Sequence, residues 1–343
     1  MITVLSIAYP FAPVGPDAVG GAEQVLSAID HALVAAGHRS LVVAASGSRT
    51  AGKLLPVSQP AAGIDERVRQ SVYTNVRRVV AGAVQAADIV HMHGVDFHEY
   101  LPPPGKPALV TLHLPPDWYP AGALPPPRPR TWLNCVSTSQ QKACPPNLKL
   151  LPPVPNGVPV HALTPANQPC GGYAVMLGRI CPEKGQHLGL AAAREAGVTA
   201  LLAGEVFPYP EHQAYFQDCV RPLLDRRRRF VGPVDFIRKR RLLATARCLL
   251  VPSLAAETSS LVAMEALACG TPVIAFPSGA LSDIVEHGRT GFLVGGPSEM
   301  AAAIARVSEI NRETCRAAAE KRFPLERMTK SYMGLYGRLL ACR

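Results

Sequence analysis

The chain has 343 residues, 48% of them hydrophobic and 17% charged, which is enough for two ordinary domains and too apolar for a disordered chain. Its formal charge of +10 favours anionic partners, but the basic clusters lack interleaved aromatics and any helix-turn-helix, zinc-finger or RNP pattern, so no nucleic acid is expected. No apolar run reaches the roughly 18 residues of a membrane span, and nine cysteines without a Cys-x-x-Cys pair argue for free thiols over a disulfide framework or zinc ribbon.

The apolar start lacks a basic leader and is interrupted by Pro10 and Pro13, so it reads as a first strand, Ile2 to Ala8, rather than a signal peptide. A turn rich in proline and glycine leads to a helix over 22–36, with Val25, Ile29, Leu33 and Ala36 at helical spacing. Gly37 stops it, and Ser40 to Ala44 forms the next strand. The glycines lack dinucleotide-fingerprint spacing, yet Gly20 and Gly21 would let a ligand approach the helix start closely. A plain tight turn is the alternative. Further on, Arg67, Arg69, Arg77 and Arg78 flank Val68, Val72, Val76, Val79 and Val80. That pattern fits a packed helix with a basic outer face, or at most a peripheral contact with an anionic membrane. Two strands then end in histidines, at His91-Met92-His93 and at His113. Ligands of open parallel sheets sit beyond the carboxyl ends of the strands. At most one of His91 and His93 is expected to point at a shared ligand, and with no third ligand evident no metal is expected. Prolines accumulate from Pro102 to Pro155, marking loops and a stiff connection.

Strand Tyr173 to Leu177 leads into the loop Gly178-Arg179-Ile180-Cys181-Pro182-Glu183-Lys184-Gly185 and a helix from Gln186. Two cations in a glycine-bounded loop at a strand's carboxyl end suit an anion, Arg as a bidentate fork and Lys as a point charge. Further strands end at Gly204 and Gly232, and the clusters Arg226 to Arg229 and Arg238 to Arg241 read as solvated helix faces. Leu249 to Val251 closes another buried strand before Glu257. Thr258, Ser259 and Ser260 are N-cap candidates for a helix over 261–268, stopped by Gly270-Thr271-Pro272. Glu257 and Glu265 are therefore separated by at most about 12 Å of helix. Between them lie free N–H groups and the positive end of a helix dipole. Such an element can hold a molecule with hydroxyls at both ends and anionic charge in the middle. Two solvated glutamates on an amphipathic helix are the bland alternative.

On these residues the chain resembles glycosyltransferase family 4, retaining enzymes of GT-B fold. The resemblance rests on Gly178-Arg179 with Lys184-Gly185, on Glu257 and Glu265 before Gly270-Thr271-Pro272-Val273, on Asn156-Gly157-Val158-Pro159, and on the tail from Arg322 to Tyr336. Ser259-Ser260 stand where the family usually has Phe-Gly, and Ser282-Asp283 where it has Pro-Glu. The resemblance implies an α/β chain of GT-B architecture, two doubly wound Rossmann-like domains facing across a cleft. Residues 1–158 would form the acceptor side, 159–171 the linker, 172–322 the nucleotide-sugar side, and 323–343 a helix crossing back to the first domain. It further implies retaining transfer of a hexosyl-type sugar from a nucleoside-diphosphate-sugar to a hydroxyl acceptor. Arg179, Lys184 and the helix start at Thr258, Ser259, Ser260 and Leu261 would hold the diphosphate, with Gly20 and Gly21 beside it. Glu257 would bind sugar hydroxyls, Glu265 the ribose, His113 the sugar, and Val234 would lie near the nucleobase. No permanently bound cofactor and no dedicated metal are implied, and the chain has no Asp-x-Asp. The expected location is cytoplasmic, at most peripheral at the inner membrane face. A nucleotide-sugar epimerase of similar fold and a non-catalytic scaffold are the rival readings.

Overall fold

A computed structural model describes residues 1–58, 64–166 and 171–341. Its contacts divide the chain into two units, Met1–Pro155 with Arg327–Arg343, and Asn156–Glu326. In the first, strands β1 (Thr3–Ile7), β2 (Arg39–Ala45), β3 (Lys53–Val57), β4 (Ile89–Met92), β5 (Ala108–Leu112) and β6 (Thr131–Cys135) form a parallel sheet ordered β3-β2-β1-β4-β5-β6. In the second, β7 (Tyr173–Leu177), β8 (Thr199–Ala203), β9 (Arg228–Gly232), β10 (Cys248–Val251), β11 (Val273–Ala275) and β12 (Gly291–Leu293) are ordered β12-β11-β10-β7-β8-β9. Both sheets follow one rule: three strands run outward, then the chain returns to the other side of the first. The direction of winding therefore reverses between β1 and β4, and between β7 and β10. These are the topological switch points, where ligands of doubly wound sheets bind.

Helices on both faces explain why the strands read as unbroken apolar runs. Every residue of β1, β5 and β10 is buried, as parallel sheets covered on both sides require. The first unit carries α1 (Gly21–Ala35), α2 (Glu66–Ala83) and α3 (Thr138–Ala143). The second carries α4 (Gln186–Glu195), α5 (Pro210–Tyr215), α6 (Phe236–Thr245), α7 (Leu261–Ala268), α8 (Leu281–Ile284), α9 (Pro297–Arg306) and α10 (Arg312–Arg322). Helix α11 (Leu325–Ala341) takes the chain back into the first unit, where Tyr332 and Tyr336 are fully buried.

Three charged segments gain a physical explanation. Helix α2 packs Val72, Tyr73, Val76 and Val80 into the first core, so its apolar stripe is covered by protein while Arg67, Arg77 and Arg78 stay exposed. The Arg226 to Arg229 cluster is not a helix face. It leads into β9, which lies at the edge of its sheet, where charge discourages pairing with another chain. Arg238 to Arg241 do lie on a helix, α6. Near the expected linker, Val158, Val160 and Leu163 are buried in the second core, and the Val158 N–H donates to the Phe323 carbonyl at 2.9 Å. Residues 167–170 of that linker lie outside the described residues.

Candidate functional site

Two loops leave the second switch point: 178–185 after β7 and 252–260 after β10. They are tied to each other along their backbones. The Leu254 and Ala255 N–H groups both donate to the Glu183 carbonyl, at 2.8 and 3.2 Å. Gly185 makes this approach feasible. Its φ of +61° is left-handed, and a Cβ there would run into the Pro252 carbonyl. Glu257 is held from the other side, its carbonyl accepting from the Ala280 N–H at 2.7 Å while Gly279 packs against its backbone.

This scaffold brings Lys184 and Glu257 together. The Lys184 ammonium donates to Glu257 Oε1 at 2.5 Å, and the Ser253 hydroxyl donates to the same oxygen at 2.5 Å. Lys184 is 30% and Glu257 10% exposed, so the pair is wet enough to exchange partners with a ligand. Arg179 sits half-buried in the same loop, and its guanidinium donates to no protein group among the described residues, which suits it to an incoming anion. Ser253 also lines a cavity of about 350 Å³ with Leu188, Phe276 and Ser278.

The start of α7 lies on the same loop. Ser260 occupies the N-cap position, but its side chain makes no capping bond. Ser259 Oγ is buried without a hydrogen-bond partner among the described residues. The helix thus begins with amides that no side chain satisfies from the cap, a fitting place for an anionic oxygen. Thr258 and Leu261 are half-buried on either side. Inside the helix Glu265 is 3% exposed and accepts from the Lys239 ammonium of α6 at 2.5 Å. Lys239 is therefore no solvated residue. Its spacing from Phe236, whose ring it also covers, and from the buried Leu243 was the available signal for an inward position. Val234 is half-buried in the loop between β9 and α6.

The same loop contributes to a second cluster. The ligand atoms of Cys181, Glu183 and His212, the last from α5, all lie within 4.8 Å of one another. Burial pushes the Cys181 thiol up to about 11 and lowers the His212 imidazole below its ordinary value.

The switch point of the first unit is built differently. Residues two apart share one face of a strand, and His93, just past the end of β4, lies over His91 with ring centroids 3.9 Å apart. The expectation that at most one of the two rings faces a shared ligand is therefore corrected, since a period of two sends both to the same side. His91 is saturated, bonding Tyr336 Oη and Thr111 Oγ1 at 2.7 Å each. His93 Nδ1 lies 3.0 Å from His113 Nε2, and the His113 N–H donates to the Tyr119 hydroxyl at 3.0 Å. Burial holds all three imidazoles neutral: His91 and His93 fall well below the ordinary value and His113 falls to about 3. Gly20 precedes α1, and a Cβ on it would collide with the carboxylate of Glu23. Gly21 opens the helix beside it.

Residues 172–309 match the family model of Glycosyl transferases group 1. D-inositol 3-phosphate glycosyltransferase 2 of Catenulispora acidiphila is 47% identical over 79 residues, 22% of this chain and 18% of that protein. Glycogen synthase of Mycobacterium tuberculosis is 32% identical over 175 residues, 49% of this chain and 41% of that one. The chain thus spans less than half the length of these two curated relatives. Among solved structures, sucrose-phosphate synthase (tll1590) from Thermosynechococcus elongatus superposes with a TM-score of 0.80 at 20% identity, covering 100% of both chains. Anabaena Alr3699/HepE in complex with UDP and glucose gives 0.77 at 19% identity, covering 98% of this chain and 100% of that one. The fold is GT-B, and the match to the group 1 glycosyltransferase model lies within the second unit.

Proposed function

We propose that the protein is a retaining glycosyltransferase that moves a hexosyl-type sugar from a nucleoside-diphosphate-sugar to a hydroxyl of its acceptor. One observation carries the reading: the Lys184–Glu257 bridge, with the unengaged Arg179 guanidinium in the same loop and the uncapped start of α7 beyond it, all inside the segment that matches the family. Cleavage of the donor leaves a nucleoside diphosphate, so charge grows on the β-phosphate in the transition state. Arg179, Lys184 and the amides at Ser259 to Leu261 are fixed donors for that charge. Glu257, relieved of Lys184 by the diphosphate, takes sugar hydroxyls and orients the anomeric carbon. Glu265 takes the ribose, and Lys239 holds its carboxylate in position. Gly20, Gly21, His113 and Val234 keep the parts assigned above, and no permanently bound cofactor enters the scheme.

The Anabaena protein was solved with UDP-glucose, which makes UDP-sugars the first donors to test. Thermal unfolding with UDP-, GDP- and ADP-sugars should single out one base. A donor at 100 times its Kd adds about 2.7 kcal/mol of stability. Absence of stabilisation by every nucleotide-sugar would remove the donor assignment. With the active donor in hand, an inverted anomeric product by NMR would overturn the retaining mechanism.

A further inference from the structure

We propose that Cys181, Glu183 and His212 form a binding site for one divalent zinc-type ion, outside the residues assigned to the donor. Three side chains of different chemistry converge here, and their ligand atoms lie within 4.8 Å of one another. Cys181 is fully buried and His212 is 6% exposed. Glu183 Oε2 and His212 Nδ1 are both buried without a hydrogen-bond partner among the described residues. Leaving two buried polar atoms bare is costly, roughly 1–3 kcal/mol each, unless something occupies the space between them. A cation does so, since each bare atom can offer it a lone pair.

The donor set selects the ion. One thiolate, one imidazole and one carboxylate match zinc, whereas magnesium and calcium take oxygen ligands and disfavour sulfur. Zinc bond lengths of about 2.0–2.3 Å put tetrahedral ligand atoms roughly 3.5 Å apart, so modest side-chain rotation closes the site. The fourth position is left for water. Charge balances: two positive charges meet one thiolate and one carboxylate, giving a neutral centre that the nearby Arg179 cation tolerates.

The placement gives the ion a structural task. Cys181 and Glu183 flank Pro182 in the short turn that ends at Lys184, and His212 lies on α5. Bound metal would cross-link that turn to α5 and fix the base of the loop carrying Arg179 and Lys184. It takes no part in the transfer reaction, and the site stands whether or not the donor assignment does.

The test is titration of chelator-stripped full-length protein with Co²⁺, then competition with Zn²⁺. The wild type should bind one Co²⁺ per chain, with a near-ultraviolet thiolate-to-cobalt band and the visible bands of a tetrahedral centre, both erased by Zn²⁺. Cys181→Ser should abolish the thiolate band. Glu183→Gln and His212→Asn should each weaken binding by more than the roughly 10- to 100-fold typical of losing an outer-shell partner. Cys219→Ser, removing the exposed cysteine, should change nothing. Circular dichroism on each metal-free variant separates loss of ligand from loss of fold. No thiolate band in the wild type, a band that survives Cys181→Ser, or one lost in Cys219→Ser would overturn the site.

Discussion

The two units wind their sheets by the same rule, yet the two switch points carry opposite chemistry. At the first, strand ends are occupied by His91, His93 and His113, neutral rings bonded to one another, to Thr111 and to Tyr336. At the second, the strand ends carry Arg179, Lys184 and Glu257, charged groups partly exposed to solvent, and a helix start whose N-cap residue makes no capping bond. One topology thus supports a buried, neutral histidine network in one unit and exchangeable charge in the other. Fold places the site, and the side chains at the strand ends decide what it can do.

The sharpest way to break this comparison is to remove the charge from the second switch point. Arg179→Ala or Lys184→Ala should lower kcat by roughly 10²- to 10³-fold, the usual loss for one preorganised charge stabiliser. Folding should survive, because neither side chain belongs to the core. Lys184→Ala also leaves Glu257 with Ser253 alone, so its donor affinity should change as well. Full activity in either variant with the true donor would end the diphosphate assignment.

Next in size is the split between the two glutamates. Glu265 is assigned to the ribose, whose contacts stay alike in the ground and transition states. Glu265→Gln weakens charge-assisted hydrogen bonds worth about 1.5–3 kcal/mol, and the loss should appear in the KM of the donor. Glu257 is assigned to the sugar, whose ring changes shape and charge, so Glu257→Gln should lower kcat with less effect on affinity. Free nucleoside diphosphate, lacking the sugar, should bind Glu265→Gln more weakly and Glu257→Gln about as well as wild type. The reverse pattern would mean that the donor runs the other way along α7.

The fold and the charged loop were legible in the sequence for the same reason. Strands buried on both faces read as apolar runs, and the turn after each run exposes the residues that serve it, as with Gly178 to Gly185 and Val251 to Leu261. Pairing between distant elements was not legible. Lys239 meets Glu265 across 26 residues because α6 and α7 pack side by side, which no local pattern states. His91 and His93 lie together because side chains two apart share a face of the strand, a consequence of the alternation that was legible in the spacing itself. The arginines of β9 defeated a composition argument, since a basic run looks the same on a helix face as on a sheet edge.

A backbone test sharpens the role of loop contact at the second switch point. Gly185→Ala places a Cβ at φ +61° and against the Pro252 carbonyl, whereas Gly197→Ala places one at φ +65° in open space. Both should incur the left-handed cost of about 1–2 kcal/mol. Only Gly185→Ala should lose more than that in urea unfolding, and only it should weaken nucleotide binding, because it alone forces the two loops apart. Equal losses with unchanged binding would show that the loops are not held together at this point.

The smallest effect per unit of change belongs to the first switch point and is read with acid. Its three histidines have folded-state values depressed by burial, His113 to about 3. Between that range and the unfolded value near 6.5, the unfolded chain binds protons that the native unit refuses. Stability is therefore fully present above about pH 6.5 and is lost as pH falls below it, by up to about 1.4 kcal/mol per pH unit for each histidine. Asp96 acts in the opposite sense: burial raises its carboxyl, so the native state protonates first and gains stability at lower pH, which offsets part of the histidine slope. Both tryptophans of the chain, Trp118 and Trp132, lie in the first unit, so their fluorescence reports this unit alone. His113→Phe should lower stability at every pH, because His93 Nδ1 loses its partner, yet it should flatten the acid slope by about one histidine's share. An unchanged slope would mean that His113 takes up its proton in the folded state, and the first switch point would then carry charge much as the second one does.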